Sequence, residues 1–332
     1  MTIRSIEYVR MLEEALAFLK GGDDYLVVSH VQPDGDAVSS TVIIHWLLEK
    51  LGKRAVLVNE GRIPPRLQYL RSSEFIVNLS ENKPERTFSR IVTVDCADFR
   101  RVGRAEELFS AEYALLNIDH HPTNDAFGST NLLRFDAAAT AEILFDLIEH
   151  AGIPLDVEVA TAIYTGLLTD TGGFRYSNTT AHVMAIASRL LDAGVNGFGL
   201  ADHLLEQMSL PQLRVLQRGL SRLALSEDGR IGWLYIEPSD MAETGAAGED
   251  LEGLVNYARN IEGVEVGMLF KVTESGEVKV SLRSAGAADV AAIAQSFGGG
   301  GHVRAAGCRV DGPIGDAMTA VVGSVRKALD RV

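Results

Sequence analysis

Cysteine is scarce in this chain: Cys96 and Cys308 are the only two among 332 residues. They allow one bridge at most, so no disulfide framework can define the fold. Positive charge is also short. Against 45 acidic residues stand 31 basic ones, a formal net charge of −14. This excludes a protein that coats long duplex nucleic acid through a wide basic face, because neutralising phosphates needs clustered Lys and Arg. A short phosphate ligand in a local pocket remains compatible, since bound cations invert the local field. No apolar run approaches the roughly 20 residues that span a bilayer, so no membrane partner is expected. The opening residues, Met1-Thr2-Ile3-Arg4-Ser5-Ile6-Glu7, lack the apolar core and small-residue cleavage site of a signal peptide. The expected compartment is cytoplasmic.

What is there is a globular composition, 46% hydrophobic and 23% charged, long enough for two domains. Ile6, Val9, Leu12, Ala15, Leu16 and Leu19 form one stripe of an amphipathic helix over 5–20. Strands are predicted at Tyr25–Ser29, Ala55–Asn59, Arg90–Asp95 and Ala114–Asp119, with helices at Asp36–Lys50, 138–150 and 157–169. Continuous apolar strands alternating with helices indicate an α/β fold: a parallel sheet with helices on both faces. Ligands bind beyond the carboxyl ends of such strands. Residues 200–220 read as a helical connector. After it the texture changes to strands at Leu220–Leu225, Ile231–Ile236, Val264–Val272 and Val278–Leu282. Helices are predicted at 250–261, 289–297 and 314–331, and the Gly- and Ala-rich stretch 242–248 reads as a loop. The expected division is a catalytic domain over 1–195, a connector over 196–218 and a smaller α/β domain over 219–332.

The most telling residues stand at strand ends. Asp119-His120-His121 closes the run Tyr113–Ile118, a poor place for polar groups unless they bind something. Neighbouring side chains on a strand point to opposite faces, so the two histidines are expected to differ in role. His30-Val31-Gln32-Pro33-Asp34-Gly35-Asp36 sets an imidazole and two carboxylates on a tight turn. Asp34 or Asp36 could equally cap the following helix. Asp95 closes a third strand. Asp170 ends a helix, where the dipole disfavours a carboxylate and a compensating cation is expected. Oxygen and imidazole ligands without thiolate suit Mn²⁺, Mg²⁺ or Fe²⁺. With carboxylates enough to bridge, two divalent ions a few ångströms apart are expected, an arrangement suited to phosphoester hydrolysis. In the C-terminal part, Gly298-Gly299-Gly300-Gly301-His302 precedes Val303-Arg304-Ala305-Ala306-Gly307. Consecutive glycines let backbone N–H groups approach an anion, with His302 and Arg304 as further donors. Arg283, at a strand end, is either a phosphate contact or a surface arginine.

In order, these motifs resemble those of the DHH/DHHA1 phosphoesterase superfamily, and the compact length resembles its nanoRNase (oligoribonuclease)/pAp phosphatase group. The resemblance implies a metal-dependent hydrolase that takes short oligoribonucleotides to mononucleotides and 3′-phosphoadenosine 5′-phosphate to AMP. It implies one cation on His30, Asp34 and Asp95, and a second on Asp36, Asp95, His120 and Asp170. Mn²⁺ is the first expectation, with Mg²⁺ or Co²⁺ as alternatives. His121 would face the scissile phosphate, and Asp119 would orient a ligand. Arg283, Gly299, Gly300, Gly301, His302 and Arg304 would hold substrate, with Arg104 as a further phosphate contact. A homodimer is implied in the same way. The alternatives are a phosphodiesterase for cyclic di-AMP or its linear dinucleotide, a manganese-type inorganic pyrophosphatase, and a non-catalytic nucleotide sensor. The glycine run speaks against the pyrophosphatase, whose second domain is of a different, Lys- and Arg-rich kind. The complete ligand set speaks against the sensor.

Overall fold

The computed structural model describes residues 5–286 and 288–330. Met1–Arg4 of the leader reading, and Arg331 of the last predicted helix, lie outside the described residues. The chain divides into two compact units, Met1–Gln207 and Met208–Val332. The division falls inside the stretch expected to connect two domains.

In the first unit six strands form one parallel sheet: β1 (Tyr25–Ser29), β2 (Ala55–Asn59), β3 (Ile76–Asn78), β4 (Phe88–Val94), β5 (Phe109–Asp119) and β6 (Thr130–Leu133). Their order is β3-β2-β1-β4-β5-β6. The chain runs outward from β1 in one direction, then returns to start β4 on its other side. That reversal opens a crevice at the carboxyl ends of β1 and β4. Six helices accompany the sheet: α1 (Ile6–Lys20), α2 (Gly35–Lys50), α3 (Thr140–Ala151), α4 (Val157–Asp170), α5 (Ala181–Asp192) and α6 (Gly197–Ala201). Val27, Val92 and Leu116 pack into a core with Ile43, Leu47, Leu144 and Ile163 of the helices. The opposite face is covered differently. Leu26, Val28, Ile91 and Leu115 pack against Val102, Ala105 and Leu108, from a 3₁₀ stretch at Phe99–Leu108. Because β1 is buried on both faces, all five of its residues are apolar or hydrogen-bonded, as the sequence run implied.

The second unit opens with α7 (Leu210–Leu220) and contains β7 (Ala224–Leu225), β8 (Ile231–Ile236), α8 (Pro238–Thr244), α9 (Leu254–Arg259), β9 (Val266–Val272), β10 (Val278–Ser284), α10 (Val290–Gln295), β11 (Gly300–His302), β12 (Ala305–Val310) and α11 (Ile314–Leu329). The sheet order is β11-β12-β10-β9-β8-β7. Every described pairing is antiparallel except β8 with β9. Two expectations are corrected here. The predicted strand at Leu220–Leu225 shrinks to its last two residues, because Val215, Leu216 and Gly219 continue a helical face to Leu220. The stretch 242–248 is not all loop: α8 runs to Thr244 and stops at Gly245, whose φ of 71° is left-handed.

Candidate metal centre

Three strand ends and two helix ends of the first unit deliver the acidic and imidazole groups to one place. His30 follows β1, and its Nδ1 lies 2.9 Å from the Val31 carbonyl oxygen. Its Nε2 lies 3.6 Å from Asp34 Oδ2 and 3.5 Å from Asp95 Oδ2. Asp34 also caps α2, since its other oxygen accepts from Ala37 N at 3.1 Å. Asp95 follows β4 with φ of 59°, a left-handed conformation uncommon outside glycine. Such strain persists where the surroundings over-determine it, and it concentrates at functional sites.

Asp36 is fully buried. Its oxygens accept from Thr140 N at 2.6 Å and Ala141 N at 3.0 Å, the first amides of α3. A helix N-terminus favours an anion there. Even so, burial and the charges of Asp95 and Asp34 push this carboxyl well above the usual range. Asp170, the last residue of α4, is raised in the same way, first by desolvation and then by Asp36, Asp34 and Asp95. Asp95 behaves oppositely. Burial acts to raise it, but the hydrogen bond from His30 and the charge of His121 hold it well below the usual carboxylate range. Like charges forced together in a dry site are the condition a divalent cation relieves. The donor set, carboxylate oxygens and imidazoles with no sulfur, fits a hard or intermediate cation.

Gly166 makes room for Asp36. A Cβ there would lie 2.6 Å from both Asp36 Oδ1 and the Ala141 side chain. Within a helix, Gly→Ala ordinarily stabilises by about 0.5–1 kcal/mol. Here Gly166→Ala is expected to destabilise, by urea unfolding, and to weaken cation binding. A gain in stability with unchanged cation affinity would refute this account of the site.

The two adjacent histidines depart from the strand alternation. The ladder of β5 ends at Asp119, so their rings are not constrained to opposite faces. Both turn to one carboxylate: His120 Nε2 lies 3.6 Å and His121 Nδ1 3.7 Å from Asp95 Oδ1. Their remaining contacts separate them. His120 Nδ1 lies 3.2 Å from the Ala137 carbonyl oxygen and its Nε2 3.4 Å from Asp170 Oδ2. Burial keeps His120 below the ordinary imidazole value, which favours the neutral, ligating form. His121 Nδ1 instead meets Asp119 Oδ1 at 2.8 Å. Thus His30, Asp34 and Asp95 form one ligand-capable group and Asp36, His120 and Asp170 another. Asp95 Oδ2 faces His30 while Asp95 Oδ1 faces His120.

Sequence reasoning missed several supporting groups. Thr140 Oγ1 donates to Asp95 Oδ1 at 3.0 Å. Asn124 Nδ2 donates to Asp119 Oδ2 at 2.7 Å. Asn178 Nδ2 donates to the carbonyls of Ala138 and Asp170. These are ordinary polar residues in loops or at a helix start, and no spacing marks them. Arg104 takes Glu107 as its partner at 3.3 Å, and its backbone N–H donates to Glu60. An arginine whose charge does reach the cluster is Arg101: it opposes the rise that burial imposes on the Cys96 thiol, and it is felt at His30 and His121. Cys96 and Cys308 are both free and buried.

In the second unit the glycine run is not an open loop. Gly300–His302 forms the edge strand β11, paired with β12. A Cβ on Gly299 would lie 2.1 Å from the Gly307 carbonyl oxygen, and one on Gly301 2.6 Å from that of Ala305. These glycines therefore allow two backbones to close on each other. Val303 and Arg304 make the turn between β11 and β12. His302 and Arg283 both pair with Ala305, so they stand in one cross-strand row on the same face of the sheet. The sequence predicted these residues as a phosphate site, and the register brings the two side chains to one surface.

A parallel sheet that gathers acidic and imidazole groups beyond its strand ends has the donors of a hydrolytic metal centre suited to phosphoester bonds. Comparison with known proteins agrees. Residues 24–167 match the DHH family, N-terminal domain, and 233–331 match the DHHA1 domain. The bifunctional oligoribonuclease and PAP phosphatase NrnA of Thermus thermophilus is 36% identical over 98% of this chain and 95% of its own. The protein of the same name from Bacillus subtilis is 26% identical over 87% and 90%. The crystal structure of an exopolyphosphatase-related protein from Bacteroides fragilis superposes with a TM-score of 0.88 at 24% identity, covering 100% of this chain and 98% of that one. The chain belongs to the DHH family of phosphoesterases, with a DHHA1 domain following its DHH domain. Among the described residues no helix is long and apolar enough to cross a membrane.

Proposed function

We propose that this phosphoesterase hydrolyses very short oligoribonucleotides to mononucleotides and 3′-phosphoadenosine 5′-phosphate to AMP, using two divalent cations, Mn²⁺ first among them. The observation that carries the reading is Asp95, whose two oxygens face two separate ligand groups. His30, Asp34 and Asp95 would hold one cation; Asp36, Asp95, His120 and Asp170 would hold the other. When bound, the pair supplies a nucleophile at neutral pH and neutralises charge on the reacting phosphate.

The chain's own groups do the rest. Thr140 and the backbone amides of α3 fix Asp95 and Asp36 before substrate arrives, so little reorganisation is left for the reaction. Asp119 holds His121 by Nδ1. This leaves His121 Nε2 as the ring nitrogen for a phosphate oxygen. Arg101 adds positive charge at the same edge. Arg283 and His302, with the backbone of Gly299, Gly300 and Gly301, would bind the remainder of the nucleotide, and Arg304 and Arg104 are assigned further phosphate contacts. A few donors on one small surface suit a short ligand. Residues 1–195 would thus carry the chemistry and 219–332 the recognition, joined by 196–218, in a cytoplasmic and homodimeric enzyme. The names of the Thermus and Bacillus relatives support this substrate class.

The test is a panel with Mn²⁺ present: a diribonucleotide, 3′-phosphoadenosine 5′-phosphate, cyclic di-AMP, a long single-stranded RNA and pyrophosphate. Release of mononucleotide from the first and of AMP from the second, with kcat/KM at least tenfold above the others, is expected. Preference for pyrophosphate or for cyclic di-AMP would reject the assignment.

A further inference from the structure

Three of the six residues assigned to the cations touch one short stretch of chain, and a fourth, Asp170, is tied to it through Asn178. In the stretch Ala137–Ala141, the Ala137 carbonyl oxygen lies 3.2 Å from His120 Nδ1. The Thr140 hydroxyl donates to Asp95, and the amides of Thr140 and Ala141 donate to Asp36. The Ala138 carbonyl shares Asn178 Nδ2 with the Asp170 carbonyl, both at 3.1 Å. The placement of Asp36, Asp95, His120 and Asp170 therefore depends on what holds this turn.

A buried ionic network holds it. Glu142 Oε2 accepts from Ala138 N at 2.7 Å, and Glu142 Oε1 accepts from Arg134 Nη2. Arg134 Nη1 donates to Asp146 Oδ2 at 2.9 Å. Tyr8 closes the outer end, donating to Asp146 Oδ2 at 3.1 Å, and His182 Nε2 stands 3.6 Å from Asp146 Oδ1. Glu142 and Asp146 are almost wholly buried. The backbone joins the network to the same place, since Arg134 N donates to the Asp119 carbonyl and Ala137 N to the Arg134 carbonyl. Buried ion pairs contribute little net stability compared with apolar packing of equal volume. Their retention here has a geometric use: the planar guanidinium fork fixes Glu142, and Glu142 fixes the turn.

We propose that Glu142, held by Arg134, is a positioning residue for the second cation. It makes no contact with that cation. It sets the cation's affinity by locking the turn that orients His120, Asp36 and the bridging Asp95. The inference rests on the two-cation reading above.

Mn²⁺ titration of the whole chain, following free Mn²⁺ by electron paramagnetic resonance, tests it. Wild type should show two dissociation constants, and His30→Ala should weaken the first site and so assign them. Glu142→Gln keeps size but sets an amide N–H₂ against either Arg134 or Ala138 N. It is expected to weaken the second constant by roughly 10–100-fold, the usual cost of losing an outer-shell partner, and to leave the first within threefold. Excess Mn²⁺ should then recover most of kcat. Arg134→Lys keeps the charge but cannot hold both carboxylates, so a smaller loss confined to the second constant is expected. Tyr8→Phe, at the network's far end, should lower stability and leave both constants unchanged. The proposal is overturned if Glu142→Gln lowers the melting temperature with both constants unchanged, or weakens both equally. Should Glu142→Gln not fold, an unchanged second constant in Arg134→Lys overturns it. Fewer than two sites in wild type would remove the two-cation reading itself, which is a separate result.

Discussion

Asp95→Asn is expected to lower mononucleotide release from a dinucleotide by roughly three orders of magnitude or more, about 4 kcal/mol of barrier. Asparagine is the informative replacement. It tolerates the left-handed backbone that Asp95 adopts at φ of 59° better than alanine does. The change therefore removes charge and bridging capacity while leaving the turn after β4 intact. One carboxylate now answers His30 through one oxygen and His120, His121 and Thr140 through the other. A neutral amide offers one oxygen, so the two ligand groups lose their common member. Single-turnover rates at saturating Mn²⁺ measure the effect. Activity within tenfold of wild type would sink the bridging role.

The second large effect concerns stability. Removing divalent cations with a chelator is expected to lower the melting temperature markedly. A cation present at a hundred times its dissociation constant adds about 2.7 kcal/mol per site. The pH dependence of the cation-free protein follows from its perturbed groups. His30 is shifted from 6.5 up to about 10 by Asp34 and Asp95, against the opposing effect of burial. Asp36 and Asp170 are raised as well. Each holds its proton more tightly folded than unfolded, so its contribution is full at low pH and lost as pH rises through the folded value. Asp95, shifted down, contributes a constant amount throughout this range. Between about pH 6.5 and 10 the cation-free protein should lose stability as pH rises. The Mn²⁺-loaded protein should not, because cation replaces the protons. Urea unfolding across that range, with and without Mn²⁺, measures both. Parallel curves would contradict the coupling.

Much of the fold was legible because the strands that position the chemistry are buried on both sides. β1, β2 and the carboxyl-terminal parts of β4 and β5 read as mainly apolar runs for that reason. The edge strands were not legible. Ile76–Asn78 and Thr130–Leu133 are short and half-buried, and Thr130 and Asn131 carry no strand pattern. The strand β12 was hidden by Ala305-Ala306-Gly307, whose small side chains mark close backbone approach to β11 rather than strand propensity. At the site, charged residues at strand ends announced themselves, since a carboxylate or imidazole there has few structural uses. Thr140, Asn124, Asn178 and Glu142 did not. Thr140 and Asn178 act through hydrogen bonds to residues 45 and 40 positions away, while Asn124 and Glu142 bond near neighbours in or beside loops, where no helical or strand period marks them.

The boundary at Gln207 and Met208 leaves every cation-assigned residue on one side and Arg283 and His302 on the other. On the roles proposed above, reaction type and ligand choice fall in separate stretches of chain. Substitutions on the surface that carries Arg283 and His302 can retune which short phosphorylated compound is accepted without reopening the inorganic chemistry. The two can therefore be altered one at a time, the cluster around Asp95 by changes in the first unit and the surface of Arg283 and His302 by changes in the second.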